Sequence, residues 1–490
     1  MNYKLAHLQP AAVWQYFEDI CQIPHPSKKE ERLGAFLMDF AKKHKLEAKQ
    51  DKAGNVVIKK PASKGFENRK TVVLQSHIDM VCEKNSDKKF DFDNDAIQPV
   101  IDGDWVRADG TTLGADDGIG VAASLALLTD NTIQHGPLEC LFTVDEETGL
   151  TGAFAIEPGF ISGDILLNLD SEDEGEIFIG CAGGGDTTVD FNYEDFPVPA
   201  NSIAYTIWIK GLTGGHSGDD IEKGRGNSIK ILNRFLYEAN NKLPAMCLAE
   251  INGGNMRNAI PREACATIVI PKEDDRKWKN IFRKLSKEIA DEISIQEPRF
   301  ETSLEKTTLP KTVIDLLTQE NLILSLYACP HGVIAMSAKM PGLVETSTNL
   351  ASVKMNPKKH TITVATSQRS SVESSKKDVM NMVESLFTLA WVEKVKHGNG
   401  YPGWDPNPDS EILKIAVATY KKLFGKEPVV RAIHAGLECG LFLEKYPHLD
   451  MISYGPTLRL VHTPEEKIEI ATVDKFWKHT LEILKNIPEK

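Results

Sequence analysis

The sequence predicts an α/β domain, a mixed sheet flanked by helices, interrupted by an inserted α+β domain built of two ferredoxin-like units. Short β-prone runs alternate with helical patterns up to about residue 188, which argues a sheet covered by helices. Between 189 and 396 the texture changes to two successive βαββαβ-like patterns, and after 397 the first texture resumes. At 490 residues the chain is also too long for one hydrophobic core. The expected segments are therefore 1–188, 189–396 and 397–490, with the first and last forming a single domain.

The elements follow in order. Pro10 stands at a first-turn position, and Val13, Phe17 and Ile20 recur at helical spacing after it. Ser27 and Glu30 have the spacing of a capping box, followed by Leu33, Phe36, Leu37 and Phe40 on one helical face. Strands are expected at Asn55 to Lys59, Thr71 to Gln75, Leu138 to Val144 and Ile165 to Leu169, with a helix from Gly118 to Leu128. In the insertion, strand-like Ile203 to Ile209 leads to a helix at Asn227 to Asn240. Strands at Cys247 to Ile251 and Cys265 to Ile270 and a charged helix at Asp274 to Asp291 complete the first unit. The order recurs with a helix near Thr312 to Tyr327, strands near Leu343 to Lys354 and Thr361 to Thr366, and a helix near Ser371 to Phe387. Near the C-terminus, Thr463, Pro464 and Glu466 have the pattern of a helix start, with His462 just outside it.

Composition narrows the function classes. With 57 Lys and Arg against 70 Asp and Glu, the net charge of -13 works against nucleic acid and anionic membranes as partners. Eight cysteines without a CxxC pair suit a reducing compartment. No stretch reaches the roughly 18 apolar residues of a membrane span, and the N-terminus lacks the pattern of a signal peptide, so a cytoplasmic protein is expected.

The stretch LECLFTVDEETG, from Leu138 to Gly149, places three consecutive carboxylates, Asp145, Glu146 and Glu147, at the end of a buried strand. Crowded, desolvated like charges raise one another's pKa and call for a cation, which points to a metal. The same chemistry recurs at other element ends: Ser76-His77-Ile78-Asp79, Gly114-Ala115-Asp116-Asp117, Asp170-Ser171-Glu172 and Val461-His462-Thr463-Pro464-Glu465-Glu466. In α/β sheets ligands gather beyond such strand ends. Zinc and its neighbours take imidazole nitrogen and carboxylate oxygen, and a pair of ions needs a bridging carboxylate. Asp79, two residues after His77, is placed to orient its ring. Asp91 to Asp95 imitates a calcium loop, but Ala96 stands where Gly is required and Asp102 where Glu is.

These motifs, in this order, resemble those of the dinuclear zinc exopeptidases related to aminoacylase, tripeptidase T and carnosinase, most closely the branch that takes dipeptides ending in histidine. The resemblance covers nearly the whole chain, the insertion included. It implies a zinc exopeptidase-like fold in which His77 and Asp170 hold one metal, Glu147 and His462 the other, and Asp116 bridges them. It further implies Glu146 as general base and Asp79 as support for His77. The insertion becomes a lid, in which His216, within Gly214-Gly215-His216-Ser217-Gly218, serves catalysis while Asn258 and Arg369 contact the substrate carboxylate. Glu438, after strand-like Val429 to Ile433, is read as a negative partner for a substrate ammonium group.

The expected activity is hydrolysis of unblocked dipeptides, Xaa-His included, using two divalent ions, Zn2+ first and Co2+ or Mn2+ as alternatives. A homodimer is compatible with this, though a doubled lid would make dimerisation optional. Two other readings are a deacylase of N-acyl amino acids and a non-catalytic protein stabilised by metal. An unliganded base at Glu146 counts against the last.

Overall fold

A computed structural model describes residues 3–392, 394–398 and 400–490, which divide into two compact units. The first comprises 1–180, 406–432 and 437–490, the second 181–405 together with 433–436. The expected boundaries at 188 and 396 both fall inside the second unit.

The first unit is built on an eight-stranded mixed sheet. Leu138–Thr143, Val72–His77, Ile165–Asn168 and Asp450–Ser453 run parallel at its centre, and Glu47–Gln50 and Val56–Lys60 extend it antiparallel. The three strands Leu138–Thr143, Val72–His77 and Ile165–Asn168 are buried along their whole lengths, as the near-continuous apolar runs anticipate for a parallel sheet covered on both faces. Helix Ala115–Thr129 is also nearly all buried. Its small residues let it lie flat against Ala11–Cys21, where Gly118 faces the Phe17 ring. The central register sets Val72 opposite both Leu138 and Ile165, so the strands start level, and at their other ends His77 pairs with Thr143 and Gln75 with Asn168.

A second, four-stranded sheet joins distant segments of this unit. Its order is Leu458–Arg459, Lys467–Glu469, Trp105–Ala108 and Pro99–Asp102, with Ile468 opposite Val106. His462 therefore sits in the loop of a hairpin, not before a helix. The expected helix start at Thr463 is a turn, Glu466 N–H to Thr463 C=O, and the next helix is Ile470–Lys485. The Ser27 and Glu30 capping box is also absent. Helix Glu31–His44 has no side-chain cap, because Ser27 Oγ donates to Asp79 and Glu30 accepts from the amides of Lys28 and Asp145.

The second unit carries one nine-stranded sheet whose helices share a single apolar core that includes Phe235, Trp278, Leu322 and Phe387. Its main order is Glu301–Thr307, Ser202–Lys210, Ala264–Pro271, Cys247–Gly253, Val344–Asn356, Thr361–Ser370, Gly183–Asn192 and Val395–His397. The first four strands, with helices Ser228–Lys242 and Asp275–Ile293, make the first βαββαβ unit as expected. The second unit is not a simple tandem copy. Its strand beside Thr361–Ser370 is Gly183–Asn192, which precedes the first unit in sequence, while Thr312–Ile314 pairs instead with Asp195–Pro197. The halves join edge to edge through Asn252 opposite Lys354 and Gly253 opposite Val353.

Candidate active site

In the first unit the C-terminal ends of the parallel strands deliver the charged residues to one place. His77 closes its strand, Glu146 and Glu147 open the short helix Glu146–Gly149 just beyond Thr143, and Asp170 follows Asn168. Asp116 comes from the start of helix Ala115–Thr129, and His462 from the hairpin loop. Asp116 is common to two groups. Its Oδ1 lies 3.1 Å from His77 Nε2 and its Oδ2 lies 3.2 Å from His462 Nε2. Asp170 Oδ1 is 3.4 Å from His77 Nε2, and Glu147 Oε2 is 3.0 Å from His462 Nε2. The donor atoms of His77, Asp116 and Asp170, and those of Asp116, Glu147 and His462, lie within 4.8 Å of one another in each group.

The electrostatics of the cluster favour positive charge there, from the two imidazoles or from a bound cation. Burial, with the nearby charges of Glu438, Glu147 and Asp116, pushes the Glu146 carboxyl up to about 8 against the pull of His77. Burial also raises Asp170 well above the usual carboxylate range, although His77 opposes it. Hydrogen bonds that the His462 ring donates to the Asp116 and Glu147 carboxylates raise it to about 11. Glu147 Oε1 is buried without a hydrogen-bond partner. An orphaned carboxylate oxygen among two imidazoles and several acids fits a hard or borderline divalent ion, whose nitrogen and oxygen donors these are.

Other side chains hold the groups in place. His77 Nδ1 donates to the Asp79 carbonyl at 3.0 Å, with the Asp79 carboxylate at 3.4 Å, which aims Nε2 at Asp116 and Asp170. The Asp79 carboxylate accepts from the amides of Glu146 at 2.9 Å and Glu147 at 3.2 Å. Asp79 thus positions both glutamates as well as the ring. Sequence reasoning missed Glu466, which accepts from the amides of Leu113, Gly114, Ala115 and Asp116 at 2.7, 3.1, 2.8 and 3.4 Å. One carboxylate thereby ties the loop that delivers Asp116 to the loop that delivers His462. A helix-start motif and an inward-turned acid look alike in sequence, so no local signal separated them.

Glu438 is not where a ligand reaches it. It is 0% exposed, and its Oε2 accepts from Gln75 at 2.6 Å and Thr143 at 2.8 Å, beneath the strand ends. The expected contact with a substrate ammonium is corrected on that ground. Asp91 to Asp95 folds into a turn bonded to itself, with Asp93 paired to Lys29, and is turned to no common centre.

The second unit brings together His216 and Arg369. Arg369 is only 7% exposed, and its partners are a ring nitrogen and two hydroxyls: His216 Nε2 at 3.4 Å, Ser217 Oγ at 3.4 Å and Tyr401 Oη at 3.1 Å. His216 Nδ1 lies 3.3 Å from the amides of Gly218 and Asp219 and 3.4 Å from the Asp219 carboxylate, and Nε2 is the ring nitrogen turned toward Arg369. The Asn258 side chain is exposed, and its carbonyl accepts from the Ser217 amide at 2.8 Å.

Residues 73–486 match the profile of peptidase family M20/M25/M40. The chain belongs to that family. As an M20/M25/M40 member it is a metal-dependent peptidase, which excludes the non-catalytic reading. It is 43% identical over 487 residues to the cytosol non-specific dipeptidase of Escherichia coli (strain K12), covering 99% of this chain and all of that one. The fold matches the crystal structure of an aminoacylhistidine dipeptidase from Vibrio alginolyticus with a TM-score of 0.94 and 45% identity, over 100% of this chain and 99% of that one. A tripeptidase from Staphylococcus aureus shares the fold at a TM-score of 0.55 and 16% identity, over 98% of this chain and 99% of that one. Among the described residues, no helix is long and apolar enough to cross a membrane.

Proposed function

We propose that the chain is a cytoplasmic dipeptidase that hydrolyses unblocked dipeptides, those ending in His included, with two divalent ions, Zn2+ before Co2+ or Mn2+. The observation that carries the two-ion reading is the divided Asp116 carboxylate, one oxygen facing His77 and Asp170 and the other facing His462 and Glu147. The names of the E. coli and Vibrio relatives support dipeptides as the substrate class.

His77, Asp116 and Asp170 would hold one ion and Asp116, Glu147 and His462 the other. Such ions supply Lewis-acid polarisation of the scissile carbonyl and bring the ionisation of a water near neutral pH. Glu146 takes the proton from the attacking water and passes it to the leaving nitrogen. Asp79 keeps Glu146 and Glu147 apart in role by fixing both amides. The Arg369 fork takes the peptide's terminal carboxylate, a planar match for a guanidinium, and His216 Nε2–H donates to developing negative charge on the substrate. Asn258, exposed beside Ser217, adds a polar contact to the same carboxylate.

Turnover of Ala-His and of N-acetyl-Ala-His should be compared in metal-free protein titrated with Zn2+. Hydrolysis of the free dipeptide, reaching its maximum at two equivalents, is the expected result. Preference for the acetylated compound would instead make the enzyme a deacylase, and a maximum at one equivalent would remove the bridging role of Asp116.

Glu466 provides a separate test. Glu466→Gln turns an amide group toward four backbone donors and frees the loop that delivers Asp116. Loss of such supporting contacts typically weakens metal binding about 10- to 100-fold. Chelator competition on the metal-free variant measures this directly, and unaltered affinity would reduce Glu466 to a purely structural residue.

A further inference from the structure

Three glycine-containing stretches outside the mechanism, Gly183–Gly185, Tyr401–Gly403 and His434–Gly436, meet around one side chain in the second unit. A Cβ on Gly184 would lie 2.8 Å from Cε1 and Cζ of the Tyr401 ring, and a Cβ on Gly436 would lie 2.7 Å from its Cε2 and 2.9 Å from its Oη. Neither glycine has a positive φ, so what each provides is room rather than backbone freedom. The slot is rigid. Gly184 and Tyr401 exchange backbone hydrogen bonds at 3.0 Å each, Lys376 Nζ donates to the Tyr401 carbonyl at 2.6 Å, and the Ala182 amide binds the carbonyls of Ile433 and Ala435 at 3.1 and 3.0 Å.

The slot aims the ring at Arg369. Arg369 stands directly opposite Gly184 across the antiparallel strands Gly183–Asn192 and Thr361–Ser370, and its Nη1 donates to Tyr401 Oη at 3.1 Å. With the ring held between two backbones, the hydroxyl is a fixed acceptor for one arm of the fork. Nε faces Ser217 and Nη2 faces His216 at 3.4 Å each, so an external anion would take the N–H groups that these three partners leave over.

We propose that Tyr401 is a positioning residue for substrate selection: seated in a slot lined by Gly184 and Gly436, its hydroxyl orients the Arg369 guanidinium toward the terminal carboxylate of the peptide and thereby favours free acids over amides. This rests on Arg369 as the carboxylate partner. A long side chain fixed before binding does not have to be ordered by the substrate, which is a gain in affinity more than in chemistry.

The experiment uses the metal-loaded enzyme with Ala-His and its C-terminal amide, reading KM, or Ki for a compound that is not turned over. Tyr401→Phe keeps the ring and deletes the hydroxyl. It should raise KM for the free acid about three- to tenfold while kcat moves less, and leave the amide unaffected. Gly436→Ala displaces the ring and should reproduce this selective loss, and the double variant should be no worse than the stronger single one. Equal losses for acid and amide, or losses that multiply in the double variant, would overturn the proposal. Arg369→Lys separates the two layers. If it raises KM for the acid selectively while Tyr401→Phe does not, only the role of Tyr401 fails; if it shows no selectivity, the carboxylate reading fails and takes the Tyr401 proposal with it. Should Gly436→Ala not fold, Tyr401→Phe alone decides.

Discussion

Glu146→Gln is expected to retain both ions and to lower kcat by about 10²- to 10⁴-fold, the usual worth of a positioned general base. The substitution keeps size and the backbone contact of the Glu146 amide to Asp79, and removes only the ability to accept a proton. Glu146 without metal has its carboxyl pushed up to about 8, first by burial and then by neighbouring acids, with His77 opposing. Two cations among those acids reverse the balance, because nearby positive charge favours the ionised form. The loaded enzyme therefore holds Glu146 as a carboxylate at neutral pH, ready to act as a base. The measurement is metal content by elemental analysis beside kcat. Because Glu146 also lies within 4.8 Å of ligand atoms of His77 and Glu147, loss of an ion in the variant would show that Glu146 and Glu147 exchange roles.

Much of the first unit was legible because its information is local. A strand buried on both faces must be continuously apolar, and the charged residues that follow it must then lie at its end, so Leu138 to Glu147 carried both a strand and a site. The shared position of Asp116 required knowing that two sequence-distant loops are tied together, and the tie is Glu466, whose buried carboxylate accepts from four backbone amides. Locally that residue completes a plausible helix start. Tertiary donors outweighed a cap worth about 1 kcal/mol. The same competition removed the capping box at Ser27 and Glu30, both drawn to partners far along the chain.

In the second unit, the periodicity gave two βαββαβ patterns, but pairing between Gly183–Asn192 and Thr361–Ser370 is non-local. Each strand has the same alternating character whichever neighbour it takes, so the permuted order left no mark in the pattern. Glu438 was misplaced for a related reason. An acid after a strand-like run can face outward or turn under the sheet, and here Gln75 and Thr143 offer buried donors that draw it inward. The glycines at 184 and 436 left no mark in the sequence pattern, because their use is to admit the Tyr401 ring from a distant segment.

Asp116→Ala should abolish turnover and the binding of both ions at once, in contrast to Asp170→Ala or Glu147→Ala, which remove a donor from one group only. The contrast follows from geometry, since Asp116 alone contributes an oxygen to each group. Stability provides an independent reading. Ligand that binds only the folded state stabilises it by RT ln(1 + [L]/Kd), about 2.7 kcal/mol for each site at 100 Kd. Wild-type protein should therefore melt at a higher temperature in excess Zn2+ than after chelation, while Asp116→Ala should melt at the same temperature in both. Metal-free Asp116→Ala need not be much weaker than metal-free wild type. It loses two contacts to imidazoles, but it also removes a negative charge that helps raise the Asp170 and Glu146 carboxyls. Retention of one strongly bound ion in Asp116→Ala, seen as a surviving half of the thermal shift, would show that the two groups bind independently and would defeat the bridged arrangement.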